Sequence, residues 1–412
     1  MSFGASPQPR PSPPRISRSD PAFWRVTGPL FFGGFCTFAL LYCVQPLMPV
    51  FAREFVVSPA LASVSLSATT AVLALAMIAA GSVSEVLGRK SVMVFSLAAS
   101  SLATTLAALA PDWPTLLALR ALAGLALAGL PAVAMAYLGD EMDAEAIGLA
   151  MGLYIAGGAL GGMAGRLVVA ALSDQFGWRP AIAAVGAVGL AGAALIAFAL
   201  PVSLRFSPRR PDFGGLLASL ARHFSDPGLR LLFAEAFLLM GSFVCAYNYI
   251  GFRLTAPPFS LSQTKIGLIF VLYLLGTVSS MAMGDLAGRF GRRRVLWIAI
   301  AIQLAGVAAT LPDNMVAIVV GVGLITWGFF GAHSIASSWI GLRAHGARAQ
   351  AAALYLFFYY LGSSLAGWAG GLFFARAGWP GVVGLLAALT GSALVVALRL
   401  SKVPPPRHLV RS

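Results

Sequence analysis

Long apolar stretches separated by short polar turns fill this chain almost from end to end. Twelve of them, at approximately 28–51, 60–82, 91–110, 115–138, 146–170, 181–203, 230–253, 265–284, 295–311, 315–340, 350–374 and 380–399, reach or approach bilayer-spanning length. A crossing helix needs about 20 mainly apolar residues. The pattern predicts an all-α integral membrane protein with twelve transmembrane helices.

The polar turns carry a repeat. Gly81-Ser-Val-Ser-Glu85-Val-Leu-Gly88-Arg89-Lys90, after the second run, returns after the eighth as Gly284-Asp-Leu-Ala-Gly288-Arg289-Phe-Gly291-Arg292-Arg293. Glycine permits a sharp turn and a close helix approach, and the basic residues hold the turn at the cytoplasmic surface. Phe38 and Tyr42 return as Phe243 and Tyr247, and Leu153-Tyr154, Gly161 and Gly177-Trp178 return 201 residues later. Two pseudo-symmetric six-helix halves are expected, at 28–203 and 230–400. A disordered cytoplasmic tail (1–27), a cytoplasmic linker (204–229) and a C-terminal tail (401–412) complete the division. In the linker, Phe213, Leu216, Leu217, Leu220 and Phe224 recur at helical spacing, as in an amphipathic helix lying on the membrane.

Composition narrows the class. With 59% hydrophobic residues, 10% charged and a mean hydropathy of +0.86, little is left over for a soluble domain. The net charge of +14 suggests nucleic acid until its distribution is considered: with the N-terminus inside, twenty-one of the 28 Lys and Arg are cytoplasmic. That asymmetry reports topology, with both termini in the cytoplasm and no nucleic-acid partner. Cys36, Cys43 and Cys245 lie inside apolar runs and imply no disulfide framework. The four histidines are scattered without metal-ligand spacing, and no phosphate-binding GxxxxGK[ST] loop occurs. No metal, cofactor or ATP is therefore expected.

Polar groups inside the bilayer are expensive and need a reason. Arg120 lies in the fourth run and Glu235 in the seventh, the one acid well inside an apolar stretch. A carboxyl in low dielectric holds its proton more tightly, which suits proton coupling; the helix N-terminus is a competing explanation. Arg166, eight residues before Asp174, reads as a snorkelling or locally paired cation. Tyr42 and Gln45 with Pro46 and Pro49 mark the first helix as irregular, and Tyr247-Asn248-Tyr249 suggests the same of the seventh. With Arg120, His333, Tyr355 and Tyr359, these are candidates for substrate contact; packing or an interfacial belt is the alternative for each aromatic, and snorkelling is the alternative for Arg120.

The paired turns resemble the helix 2–3 and 8–9 motif of the major facilitator superfamily, with Gly288 standing where the second copy should be acidic. Arg120-Ala-Leu-Ala-Gly124 resembles that family's helix-4 motif, whose arginine faces the cavity and takes part in proton coupling. Gly157-Gly158-Ala-Leu-Gly161-Gly162 is similar to its helix-5 antiporter motif, with Gly158 in place of the usual proline. Phe38–Pro46, Met151–Ile155, Leu232–Phe243 and Ala332–Gly341 look like the YnfM-type inner-membrane transporters, grouped with sugar- and drug-efflux carriers. The resemblance implies a monomeric inner-membrane protein, surrounded by lipid, that exports a small molecule by alternating access at the expense of the proton gradient. Gly81, Glu85, Gly88, Arg89, Lys90, Gly284, Arg289, Gly291, Arg292 and Arg293 would form a cytoplasmic latch. Arg120 and Glu235 would couple protons, and Gly157, Gly161 and Gly162 would supply the antiporter feature. The alternative is an uptake symporter or facilitator with the same fold. A receptor or polytopic enzyme would need a sensor domain or catalytic constellation that the sequence does not offer.

Overall fold

The computed structural model describes residues 15–206, 220–344 and 348–404, all helical apart from turns and one isolated bridge. Short polar signals start four of the long helices. Ser58 caps α3 (Pro59–Leu87), Asp112 caps α5 (Trp113–Leu127), Asp226 caps α9 (Pro227–Thr255) and Asn314 caps α13 (Met315–Arg343). In each, the side-chain oxygen accepts an otherwise orphaned backbone N–H of the first turn.

The first crossing is broken, as its prolines suggest. Helix α1 (Ala22–Tyr42) gives way to a 3-10 turn at Gln45–Leu47 and then to α2 (Met48–Glu54). Pro46 has no N–H for the Tyr42 carbonyl, so the α-helical ladder cannot continue. The seventh crossing differs from expectation, because α9 runs unbroken through Tyr247-Asn248-Tyr249. Two crossings are more segmented than their hydropathy implies. The fourth comprises α5 and α6 (Gly129–Glu141), and the eighth comprises α10 (Gln263–Gly267), a 3-10 stretch at Leu268–Leu272 and α11 (Tyr273–Phe290).

Helices α4 (Arg89–Ala107), α7 (Ile147–Phe176), α8 (Trp178–Ala199), α12 (Arg292–Ala309) and α14 (Arg348–Lys402) complete the bundle. Among the described residues, ten helical stretches are long and apolar enough to cross a membrane. Helix α12 falls outside that set, and three successive arginines open it. Helix α14 counts once, although non-helical backbone at Ala377 and Gly378 divides it.

The N-terminal boundary lies earlier than hydropathy suggests. Helix α1 starts at Ala22, and Ile16 pairs with the segment after α6, its N–H donating to the Glu141 carbonyl at 2.9 Å. Residues 1–14 of the expected tail, and 405–412 of the other, lie outside the described residues. So do Phe213, Leu216 and Leu217 of the amphipathic linker; of its remaining two, Leu220 is buried and Phe224 packs against Phe233 and Phe358.

Small residues set how closely helices meet. A Cβ on Gly157 or Gly161 would lie 2.2 or 2.0 Å from the Phe31 or Phe35 carbonyl oxygen, so α7 packs directly on the α1 backbone. The repeat reproduces this contact. Gly362 of α14 meets the Phe237 carbonyl of α9, with a Cβ distance of 2.1 Å.

Candidate functional site

Arg120 is fully buried, and hydrogen bonds to the protein backbone occupy its guanidinium. Its Nη1 and Nη2 donate to the carbonyls of Leu40 and Leu41 at 3.1 and 2.8 Å, and its Nε donates to that of Ser65 at 3.3 Å. Leu40 and Leu41 belong to the last turn of α1, where carbonyls lose their helical partners and a cation is favoured. The side chain therefore caps the end of α1 and ties it to α3. Snorkelling is excluded by its burial.

Arg166 overturns the expectation of a surface cation. It is 1% exposed and lies ten residues, about 15 Å by helical rise, from the end of α7. Its Nε donates to Gln45 Oε1 at 2.6 Å and its Nη1 to the Gly162 carbonyl at 2.6 Å. Three aromatic faces surround the guanidinium carbon: Tyr42 at 4.0 Å, Tyr273 at 4.6 Å and Phe270 at 5.2 Å. Gln45 Nε2 in turn donates to Asn248 Oδ1 at 2.7 Å, so the network runs from α7 through the break in the first crossing to α9. One sequence signal could have exposed this role. Gly158, Gly162 and Arg166 recur every four residues beside the glycine face that packs on α1, so the arginine points into the protein.

Aromatic and polar side chains continue from this point. Tyr247 packs on Phe270 and Tyr273 and shares a hydrogen bond with Thr326 at 2.7 Å. Tyr359 lies near enough to Tyr42, Tyr273, Tyr355 and Tyr360 for electrostatic interaction, and its ring is 4.9 Å from that of His333. His333 Nδ1 and the Tyr355 hydroxyl are hydrogen-bonded at 2.9 Å. Tyr42, Gln45, Tyr247, Asn248, His333, Tyr355 and Tyr359 thus form one connected cluster, which Arg166, Tyr273 and Tyr360 join. Arg120 stands apart from it, among backbone carbonyls.

Glu235 is wholly buried and neither carboxylate oxygen has a hydrogen-bond partner. Because α9 begins at Pro227, the acid lies eight residues in, beyond the first turn where the helix dipole acts. It lies near Tyr355, whose hydroxyl is hydrogen-bonded to His333 in the aromatic cluster.

Contacts between the parts of the chain before 206 and after 220 gather at one end of the bundle. Asp174 accepts from the backbone N–H groups of Gln263 and Thr264 at 3.0 and 2.7 Å, so α7 caps α10. Thr70 and Ser364 share a hydrogen bond at 2.7 Å, and a Cβ on Gly371 would lie 2.2 Å from the Ala60 Cα. At the other end, the recorded charged pairs stay within one part. Arg89 meets Asp140 at 3.3 Å and Ser84 at 2.7 Å, Arg289 meets Asp285 at 2.9 Å, and Arg343 meets Asp226 at 2.6 Å. Gly88 and Gly291 form single-residue junctions with φ of +88° and +86°, a conformation that favours glycine. Arg293 donates to the Val403 carbonyl at 2.6 Å. None of these recorded contacts joins the two parts.

Broken helices, an enclosed polar-aromatic cluster between two parts of the chain and a seam at one end define a polytopic carrier. The model of the Major Facilitator Superfamily matches residues 30–257 and 238–412, and the chain belongs to that family. It is 46% identical over 386 residues to the uncharacterised MFS-type transporter YybF of Bacillus subtilis, covering 94% of this chain and 95% of that protein. Identity to the inner membrane transport protein YnfM of Escherichia coli is also 46%, over 387 residues, covering 94% and 93%. Among solved structures, a bacterial homologue of the human lysosomal transporter Spinster, inward-facing and occupied, superposes with a TM-score of 0.76 at 15% identity, covering 94% of this chain and 98% of that one. The protein is accordingly a multi-pass membrane protein and a secondary active transporter that moves a small solute.

Proposed function

We propose that the protein is a proton-coupled carrier of a small organic solute, built from twelve crossings in two six-helix halves, with both termini cytoplasmic. Residues 28–203 and 230–400 form the halves, and α1 extends the first to Ala22. The carrying observation is Glu235, a buried carboxyl group whose two oxygens have no donor. An ionised carboxylate in that setting needs a donor to offset its desolvation. A conformational change that supplies or removes one would couple proton binding to solute movement. Arg120 contributes by holding the end of α1 beside the break that carries Gln45.

With the termini inside, the end at which Asp174 meets Gln263 and Thr264 faces outward. The basic turns at Gly81–Lys90 and Gly284–Arg293 would latch the cytoplasmic end when it closes. Inward symport is the direction we favour. Away from the helix ends, Arg120 and Arg166 are buried in the same interior as Glu235, so a proton arriving on Glu235 leaves positive charge for the solute to offset. The second reading is export in exchange for protons, and the glycine run of α7 is the observation on its side. Packing against Phe31 and Phe35 accounts for Gly157 and Gly161 without a role in direction.

Purified protein in vesicles with an imposed pH gradient tests both. Solute accumulation on the alkaline side supports symport, and accumulation on the acidic side supports exchange. Glu235→Gln is expected to abolish gradient-driven accumulation while leaving solute exchange measurable. Full gradient-driven activity in that variant would remove Glu235 from the coupling.

A further inference from the structure

We infer that Arg166 and Asn248 form the recognition centre for a negatively charged group on the cargo, so that the solute is a small organic anion, a carboxylate with an apolar or aromatic body. The inference deepens the proposed function and rests on the reading of the chain as a carrier.

Donor and acceptor accounting carries it. A guanidinium only donates, so Gln45 must present Oε1 to Arg166 and turn Nε2 toward Asn248. Asn248 must then accept through Oδ1, which leaves its Nδ2 buried without an acceptor. Arg166 Nη2 likewise makes no hydrogen bond among the described residues. The network ends with two surplus donors and no surplus acceptor at either residue. An oxyanion supplies the acceptors that both donors lack, and its charge makes those bonds stronger than neutral ones.

Charge balance points the same way. The five ion pairs among the described residues leave Arg166 without an acidic partner. Three aromatic faces stabilise the guanidinium but do not neutralise it. Arg120 makes an instructive contrast: it too is buried without an acid, yet each of its nitrogens already donates to a backbone carbonyl. Every nitrogen of Arg120 therefore has an acceptor already, whereas Nη2 of Arg166 has none until an anion supplies it. A cationic cargo would meet an uncompensated positive charge, and a neutral one would leave that charge in place. Tyr42, Tyr273, Phe270 and Tyr359 provide the apolar surroundings for the body of the anion.

Anion recognition also strengthens the case for symport. With a proton on Glu235 and an anion on Arg166, this pair of sites is neutral; with both ligands gone, ionised Glu235 and Arg166 again sum to zero. Exchange would alternate the same pair between one excess positive and one excess negative charge, each costly in the membrane interior.

The test uses purified full-length protein and matched sets of small molecules: acetate, lactate, benzoate and phenylacetate, with the corresponding amides and amines. Thermal unfolding in detergent reads binding, and internal pH of loaded vesicles reads proton movement. At least one carboxylate is expected to raise Tm in the wild type, while its amide and amine do not. Arg166→Gln should raise the concentration required by on the order of tenfold or more, and Arg166→Lys by less. Gln45→Glu supplies an internal carboxylate that Arg166 and a flipped Asn248 amide can both bind. It is expected to keep or raise Tm while losing the carboxylate response, which keeps the inference testable should Arg166→Gln fail to fold. The inference is overturned if no carboxylate shifts Tm, if amides or amines act equally, or if Gln45→Glu responds like wild type. Carboxylate binding without proton movement would leave the anion site standing and remove proton coupling.

Discussion

At the scale of single residues, three ionisable groups in the membrane interior have three different surroundings. Arg120 meets a carbonyl at each of its three nitrogens, Arg166 is partly satisfied and boxed by rings, and Glu235 has no hydrogen-bond partner. Their sequence contexts distinguish them poorly, since each is one charged residue in an apolar run. Arg120→Met, which keeps bulk but removes the donors, leaves three buried carbonyls short of a partner. It is expected to cost roughly 3 kcal/mol, seen as a lowered Tm in detergent. Unchanged Tm with lost transport would instead favour a direct role for Arg120 in coupling. The burial of Glu235 was legible, because no other acid lies deep in a run. The place of Arg166 depends on which side of α7 meets α1, and glycine spacing reveals that only when read as a contact face.

At the scale of elements, hydropathy located the helices well and their interruptions less well. The prolines at 46 and 49 announce the break after α1. Pro131 marks the division between α5 and α6 at Ala128, since it has no N–H for the Leu127 carbonyl, whereas the 3-10 stretch at Leu268–Leu272 has no proline or polar residue to mark it. The early start at Ala22 escaped because Trp24 and Arg25 dilute the apolar run. The glycine contacts make a sharp comparison possible. Gly161→Ala places a methyl carbon 2.0 Å from the Phe35 carbonyl oxygen, whereas Gly384 has open space around it. Gly161→Ala is expected to lower folded yield severely, with Gly362→Ala behaving alike through Phe237. Gly384→Ala should be neutral or stabilise by about 0.5 kcal/mol. Equal yields from all three, measured by size-exclusion profile, would show that the α1–α7 spacing is adjustable.

At the scale of the whole molecule, the repeat was readable from paired motifs, while the distribution of contacts between the two parts was not. That distribution depends on which state the molecule occupies, and a sequence encodes at least two. The seam gives a direct experiment. Cysteines replacing Thr70 and Ser364, whose hydroxyl oxygens are 2.7 Å apart, should cross-link on oxidation and stop turnover, with reduction restoring it. Continued transport by the cross-linked protein would mean that this seam does not open during the cycle.

The position of Gln45 has a consequence for the energy economy of the membrane. Its amide holds Arg166 on one side and Asn248 on the other, and the rings of Phe270 and Tyr273 cover the same guanidinium from beyond the seam. Parting the seam in an empty carrier would strip Arg166 of two aromatic faces and break the bond to Asn248, with nothing to replace them. A bound anion would travel with the arginine and compensate for that loss. On the proposed coupling, the unloaded molecule would thereby be discouraged from exposing Glu235 to the outside, where it would short-circuit the gradient. The glutamine would then act as an interlock against proton leak, with the cargo as its key.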